Sequence, residues 1–300
     1  MLSKRYNHEK MINMAAYLLM LLIIIFMIKR NHSTLSGLQI GNLGYLIPYS
    51  ALVLFQIFLS GLSNKILYGN FMKPNTVVSN IRLAIINTLG NYMPVSAGIL
   101  SKGLYAKKVN QLPYNAYTIL TLFQLSSVFV ICGASFLVVT NIISLPEIYY
   151  FSLLFFVIGI IGIWDIYKII PKRIRAKITK EKYYEFRSIG LKQYPLQLFI
   201  QGLILIVSSV KLQIVFEIIG IDINIWEVLF ILSSISLTRY ISFTPGGVGV
   251  KETIGGVIAR MIGQSFSMSF IVITLDRIVD LVITFLVLPV AFVDFKKNET

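Results

Sequence analysis

The stretch most able to do chemistry is Thr244-Pro245-Gly246-Gly247-Val248-Gly249-Val250-Lys251-Glu252. A proline followed by three glycines interrupts a helix, so a new helix should start near Val250 with unpaired backbone amides and the positive end of its dipole facing the break. Such an end attracts anions. No Gly-Lys-Ser/Thr follows at P-loop spacing, and no strand-helix-strand context surrounds the glycines, so neither nucleotide-phosphate motif is present. With Lys251 beside the turn, the segment suits a lipid phosphate held at membrane depth by Lys251 and the Gly247 to Val250 backbone. A plain tight turn between two half-helices is the competing reading.

Ionisable residues gather around this break. Arg239 precedes Pro245, Glu252 follows the glycines, and Asp276, Arg277 and Asp280 lie inside the apolar run Ser267 to Val293. A charge at the bilayer centre costs about 2.5–3.5 kcal/mol on the insertion scale, so each needs a reason to be there. On a helix, Arg277 and Asp280 are three apart and can pair, while Asp276 and Asp280 share a face. Lys251 or Arg239 could balance the remaining negative charge. A cluster of this kind would line a polar cavity with a cationic part, its carboxylates balancing charge or admitting protons; internally paired charges that hold the bundle together are the bland alternative. Arg82, Lys102 and Arg260 are weaker candidates, because each could snorkel to water from a hairpin mouth. The expected substrate-binding set is Arg239, Pro245, Gly246, Gly247, Gly249, Lys251, Glu252, Asp276, Arg277, Asp280 and, in the first half, Lys102. No catalytic residue, metal or cofactor is expected: His8 and His32 lie outside the apolar runs, Cys132 is the only cysteine, and no nucleophile-base set stands at a helix mouth.

The elements that must position these residues are set by composition. Of 300 residues, 56% are hydrophobic and only 13% charged, and the mean hydropathy is +0.77. A soluble domain carries about 25% charged residues, so the expectation is an all-α, polytopic integral membrane protein rather than a soluble enzyme or a nucleic-acid binder. Six apolar runs are long enough to cross: Met11 to Ile28, Leu43 to Leu62, Asn115 to Val138, Ile148 to Ile170, Pro195 to Ile218 and Ser267 to Val293. The first exceeds a signal-peptide core and has no small-residue cleavage site after it, so it reads as a helix. Two further apolar stretches are broken near their middles, Val78 to Val109 at Pro94 and Gly98, and Trp226 to Ile262 at Pro245 to Gly249. We expect these to be re-entrant hairpins, with ten full spans as the alternative.

The net charge of +14 is unevenly placed. Nine of the 27 Lys and Arg residues fall between Lys168 and Lys192, whereas 139–147 and 219–225 have none. The positive-inside rule then puts the basic loop at 171–194 and both termini in the cytoplasm of a cell (inner) membrane. Tyr183, Tyr184 and Phe186 among its lysines also suit an amphipathic helix on anionic head groups. Within a single membrane domain spanning 1–300 a weak internal duplication is expected, repeat one at about 43–138 and repeat two at about 195–293, the alternative being that two Pro/Gly breaks of a kind frequent in membrane helices coincide by chance. Pro94 and Gly98 match the spacing of Pro245 and Gly249, and Thr121-Leu122-Phe123-Gln124 follows the first break much as Thr274-Leu275-Asp276-Arg277 follows the second. The topology runs the halves in opposite directions, which is the inverted-repeat plan of many transporters.

These residues resemble a known family. The run Pro245-Gly246-Gly247-Val248-Gly249-Val250-Lys251-Glu252, with Arg277 in the following helix and Pro94, Gly98 and Lys102 earlier, is similar to the lysylphosphatidylglycerol synthase transmembrane-region family, also called flippase-like. Its best-known member, the multiple peptide resistance factor, is understood to move aminoacylated phosphatidylglycerol between leaflets. The resemblance spans nearly the whole chain. It departs in the first half, where Ile99 follows Gly98 in place of the usual glutamate and Gln124 stands where an arginine is common. The implied function is transport or flipping of an anionic phospholipid or polyprenyl-phosphate-linked glycolipid between leaflets. The implied partners are that lipid and a lipid-modifying enzyme or glycosyltransferase. The sequence ends at Thr300, so the aminoacyl transfer in the family's name is not expected of this chain alone. The rival readings are a non-transporting membrane subunit of a lipid- or polysaccharide-modifying complex and an intramembrane transferase.

Overall fold

The computed structural model describes residues 43–73, 75–91, 97–143, 146–164, 180–238 and 249–292, and these are helices joined by short connections, without a strand. After a single 3-10 turn at Leu43–Tyr45 come α1 (Leu46–Tyr68), α2 (Val77–Gly90), α3 (Ala97–Asn110), α4 (Tyr114–Ile142), α5 (Pro146–Trp164), α6 (Lys180–Ile218), α7 (Ile225–Thr238), α8 (Val250–Met261) and α9 (Phe266–Phe292). The expected run Met11 to Ile28 lies outside the described residues. So do the termini, Pro94, the segment 239–248 and much of the basic loop.

Among the described residues, three segments are long and apolar enough to cross a membrane: Leu46–Phe71, Tyr114–Ile142 and Arg187–Ile218. The chain is an integral membrane protein. The last expected crossing, α9, is long enough at 27 residues, but Asp276, Arg277 and Asp280 interrupt its apolar surface. Each broken stretch contributes two described helices, α2 and α3 in the first and α7 and α8 in the second, while Pro94 and the 239–248 segment between them lie outside the described residues. At 1.5 Å per residue their limbs of 12–14 residues span only about 18–21 Å each, against a hydrocarbon core of about 30 Å.

One boundary differs from expectation. The crossing expected to begin at Pro195 is part of a helix that starts at Lys180, so residues 180–194 of the basic loop are helical. The sequence boundary marked a change of polarity, whereas helical hydrogen bonding is indifferent to polarity. A proline inside a long membrane helix is tolerated where neighbouring groups satisfy the freed carbonyl.

The long helix α6 is the hub, packed against α1, α4, α7 and α9. Tyr49 of α1, Leu212 and Phe216 of α6, Val228 and Ile231 of α7 and Ile273 of α9 form one buried cluster. Leu67, Tyr68, Ala106, Tyr117, Phe123 and Tyr194 form another around the first hairpin. Lipid tails are as apolar as these side chains, so close packing rather than water exclusion must drive helix association. Small residues make that possible. A Cβ added to Gly133 of α4 would stand 2.7 Å from the Phe156 backbone nitrogen and 2.8 Å from its Cα on α5. Backbone cannot rotate away as a side chain can. Gly133→Ala should therefore lower stability by about 1–3 kcal/mol, read as a lower thermal midpoint in detergent; an unchanged midpoint would contradict this close α4–α5 approach.

Candidate functional site

The second break ends at Gly249, the residue before α8. Its φ of +82° is a conformation that suits glycine, and its amide donates to the Glu252 side chain at 2.7 Å. One Glu252 oxygen thus caps the helix, while the other receives Arg277 Nη1 from α9. Glu252 is 1% exposed, so this carboxylate ties the broken helix to the following one inside the protein. The helix end expected to cradle a phosphate already has its own carboxylate, and the Gly249 amide is committed to it.

The pairing expected within α9 is therefore corrected. Arg277 pairs with Glu252 of α8 rather than with Asp280. Asp280 is taken by Lys211 of α6, whose ammonium stands 2.5 Å from Asp280 Oδ2 and 3.6 Å from Asp276 Oδ1. Neighbouring positions on one helix can meet only at that helix's surface, whereas partners on α6 and α8 approach from the side that α9 buries. Tyr49 of α1 completes this group, its hydroxyl donating at 2.8 Å to both Asp276 Oδ1 and the Asp276 carbonyl. Asp276 and Asp280 do share a face, as their spacing predicts. Lys211 was missed in the sequence, although it is 3% exposed and the insertion cost that singles out the α9 charges applies to it equally.

In the first half, Lys102 of α3 was expected to snorkel to water. It is instead 3% exposed, with Nζ 3.1 Å from Gln124 Oε1 and 3.4 Å from the Tyr68 hydroxyl, lying 4.8 Å from the centre of the Tyr68 ring. The helix α3 carries it inward to Tyr68 of α1 and Gln124 of α4. Gln124 Nε2 donates onward to Ser63 Oγ at 3.2 Å, which also receives Gln197 Nε2 at 2.8 Å and Gln201 Nε2 at 3.2 Å from α6. Gln124 and Arg277 occupy matching places after the two breaks, and each contacts the helix that follows its own break.

Both clusters open on one cavity of about 270 Å³ between the halves of the chain. Lys102, Lys211, Lys251 and Arg277 line it together with Asp276 and Asp280, and the remaining wall is unusually rich in carboxamides and hydroxyls. Of the expected site residues, the fold brings Lys102, Lys251, Asp276, Arg277 and Asp280 to this cavity, with Glu252 behind Arg277 and Gly249 at the head of α8. Arg239, Pro245, Gly246 and Gly247 lie outside the described residues. Among those described, no group of three or more His, Cys, Asp or Glu side chains stands close enough to hold a metal ion. Four cations against two lining carboxylates and the paired Glu252 leave the cavity with a cationic excess.

The sequence model for the family described as the lysylphosphatidylglycerol synthase TM region matches residues 13–293. Comparison with curated proteins and with solved structures finds no match to the chain.

Proposed function

Because the chain belongs to the lysylphosphatidylglycerol synthase transmembrane-region family, we propose that it moves an anionic or phosphate-bearing lipid between the leaflets of a cell membrane, with the head group passing through the central cavity. The observation that carries this reading is the cationic excess of the cavity among the described residues, built from both halves of the chain. An anionic head group crossing about 30 Å of hydrocarbon must replace its water with polar groups on the way, and the cavity wall supplies them. In this reading the limbs of α2–α3 and α7–α8 are re-entrant, since each is too short to cross, and six full crossings place both termini in the cytoplasm. Lys251, at the start of α8 and on the cavity wall, is the second-half contact for the phosphate.

The test is leaflet exchange of labelled lipids in proteoliposomes, with anionic phospholipid beside a polyprenyl-phosphate sugar. The expected result is exchange selective for one of them and reduced at least tenfold in Lys251→Ala. Absence of exchange of either lipid with folded protein, where cells still require the protein for lipid modification, would refute transport in favour of the non-transporting subunit.

A further inference from the structure

The cations of the cavity are not equivalent. Lys211 faces Asp276 and Asp280, and Arg277 faces Glu252, so each has a carboxylate from the chain. Lys102 has none among the described residues. Its two hydrogen-bond acceptors, Gln124 Oε1 and the Tyr68 hydroxyl, are neutral, and an ammonium has three donors. The third is open to the cavity that Lys102 lines. Burial strips an ammonium of its hydration, and neutral acceptors return only part of what is lost. The missing partner has room to enter from the cavity.

The surroundings say what it is attached to. Gln56, Asn64, Asn87, Asn91, Gln124 and Gln201 put six carboxamides on the cavity wall, with hydroxyls from Ser60, Thr88 and Thr121 among them. Carboxamides offer donor and acceptor together, which matches hydroxyl groups. Gln124 and Gln201 spend Nε2 on Ser63 and Asn64 spends Nδ2 on the Asn80 carbonyl, so among the described residues the side chains of Gln56, Asn87 and Asn91 are the ones left for a ligand. Water could satisfy the amides alone, so the ligand class follows from the amides and the uncompensated Lys102 taken together.

Resting on the transport reading above, we infer that Lys102 and its amide surroundings form a second anion subsite, in the first half of the cavity, for a phosphate ester flanked by hydroxyl groups. The phosphate takes the third donor of Lys102, and the hydroxyls exchange hydrogen bonds with the carboxamides. Gln124 holds the ammonium in place without neutralising it. In the second half the corresponding contact is made by charged residues, Glu252 with Arg277, and is closed to a ligand.

Binding to the purified full-length protein tests this without requiring transport. The probes are glycerol 3-phosphate and inorganic phosphate, titrated calorimetrically in neutral detergent, and phosphatidylglycerol against phosphatidylcholine in nanodiscs. The wild type should bind glycerol 3-phosphate or phosphatidylglycerol at least tenfold tighter than inorganic phosphate or phosphatidylcholine, respectively. The tighter of the two hydroxyl-bearing probes identifies a lipid or a soluble ester as the source. Lys102→Gln should abolish the preference. Gln124→Glu provides a variant expected to fold at least as well, because it supplies the absent carboxylate: its thermal midpoint should rise while binding falls at least tenfold. Undiminished binding in both variants, or no preference for hydroxyl-bearing probes in the wild type, would overturn the subsite. Loss of exchange in Lys251→Ala with these binding results intact would leave both inferences standing; binding without any exchange would refute transport alone.

Discussion

Glu252→Gln should lower the stability of the protein by about 3–5 kcal/mol, because it removes the fully buried carboxylate that faces the partly buried Arg277. Glutamine keeps a carbonyl oxygen that can still accept from the Gly249 amide, so the helix cap survives and the loss reports on the ion pair. Adding Arg277→Met to the same chain should recover most of the stability, since neutral replacement of both partners removes the uncompensated charge as well as the attraction. Thermal unfolding in detergent reads both effects, and equal stability of wild type and Glu252→Gln would show that the pair holds nothing together. The double variant also separates the functional readings. A transporter that uses these charges should lose leaflet exchange although it is folded, whereas a subunit that only assembles with a partner enzyme should continue to support lipid modification.

The second large effect is expected at Lys211. Lys211→Met preserves length and removes the single cation standing between Asp276 and Asp280, which then face each other one turn apart on α9. Two partly buried carboxylates in that position repel, and each has lost the Lys211 ammonium. A destabilisation of about 3–5 kcal/mol, or failure to accumulate in the membrane, is the expected result. Adding Asp280→Asn should restore part of it, because Asp276 retains the Tyr49 hydroxyl as a donor. If Lys211→Met unfolds at the wild-type temperature, the lysine does not tie α6 to α9. The rescue matters because it distinguishes lost charge balance from lost packing: the asparagine restores no contact made by the lysine stem.

Glu252, Lys211 and Lys102 together divide the cavity's charges by role. Charges that face one another across α6, α8 and α9 link the second-half helices, and the lysine with neutral partners is left for a ligand. A cationic cavity of this kind need not be made of unpaired residues throughout, since the pairs give the wall its rigidity while one uncompensated position supplies the binding energy.

Helix breaks were legible in the amino-acid sequence because they are local events. Pro94 with Gly98 and Pro245 with Gly249 predict interruptions from the missing amide of proline and the backbone freedom of glycine; among the described residues α2 ends at Gly90, Gly98 is already helical in α3, and Gly249 stands at positive φ just before α8. The membrane character followed equally directly from the scarcity of charge, as did the set of charges in α9 that would need partners. Which partners they take was not legible. Arg277 and Glu252 are 25 residues apart, Lys211 and Asp280 69, and Tyr49 and Asp276 227, so no spacing rule joins them. A short-range rule offered Arg277 with Asp280, and packing overruled it by presenting α6 and α8 to the buried side of α9. Lys102 is the clearest case. Its position near a hairpin mouth suggested a side chain reaching for water, but α3 packs on α2 and the ammonium turns inward to Tyr68 of α1 and Gln124 of α4. The sequence alone therefore determined where the chain is apolar, where its helices are expected to break and which charges must be accounted for; only the tertiary structure decided which of those charges pair with one another, because pairing depends on distances between helices far apart in the chain.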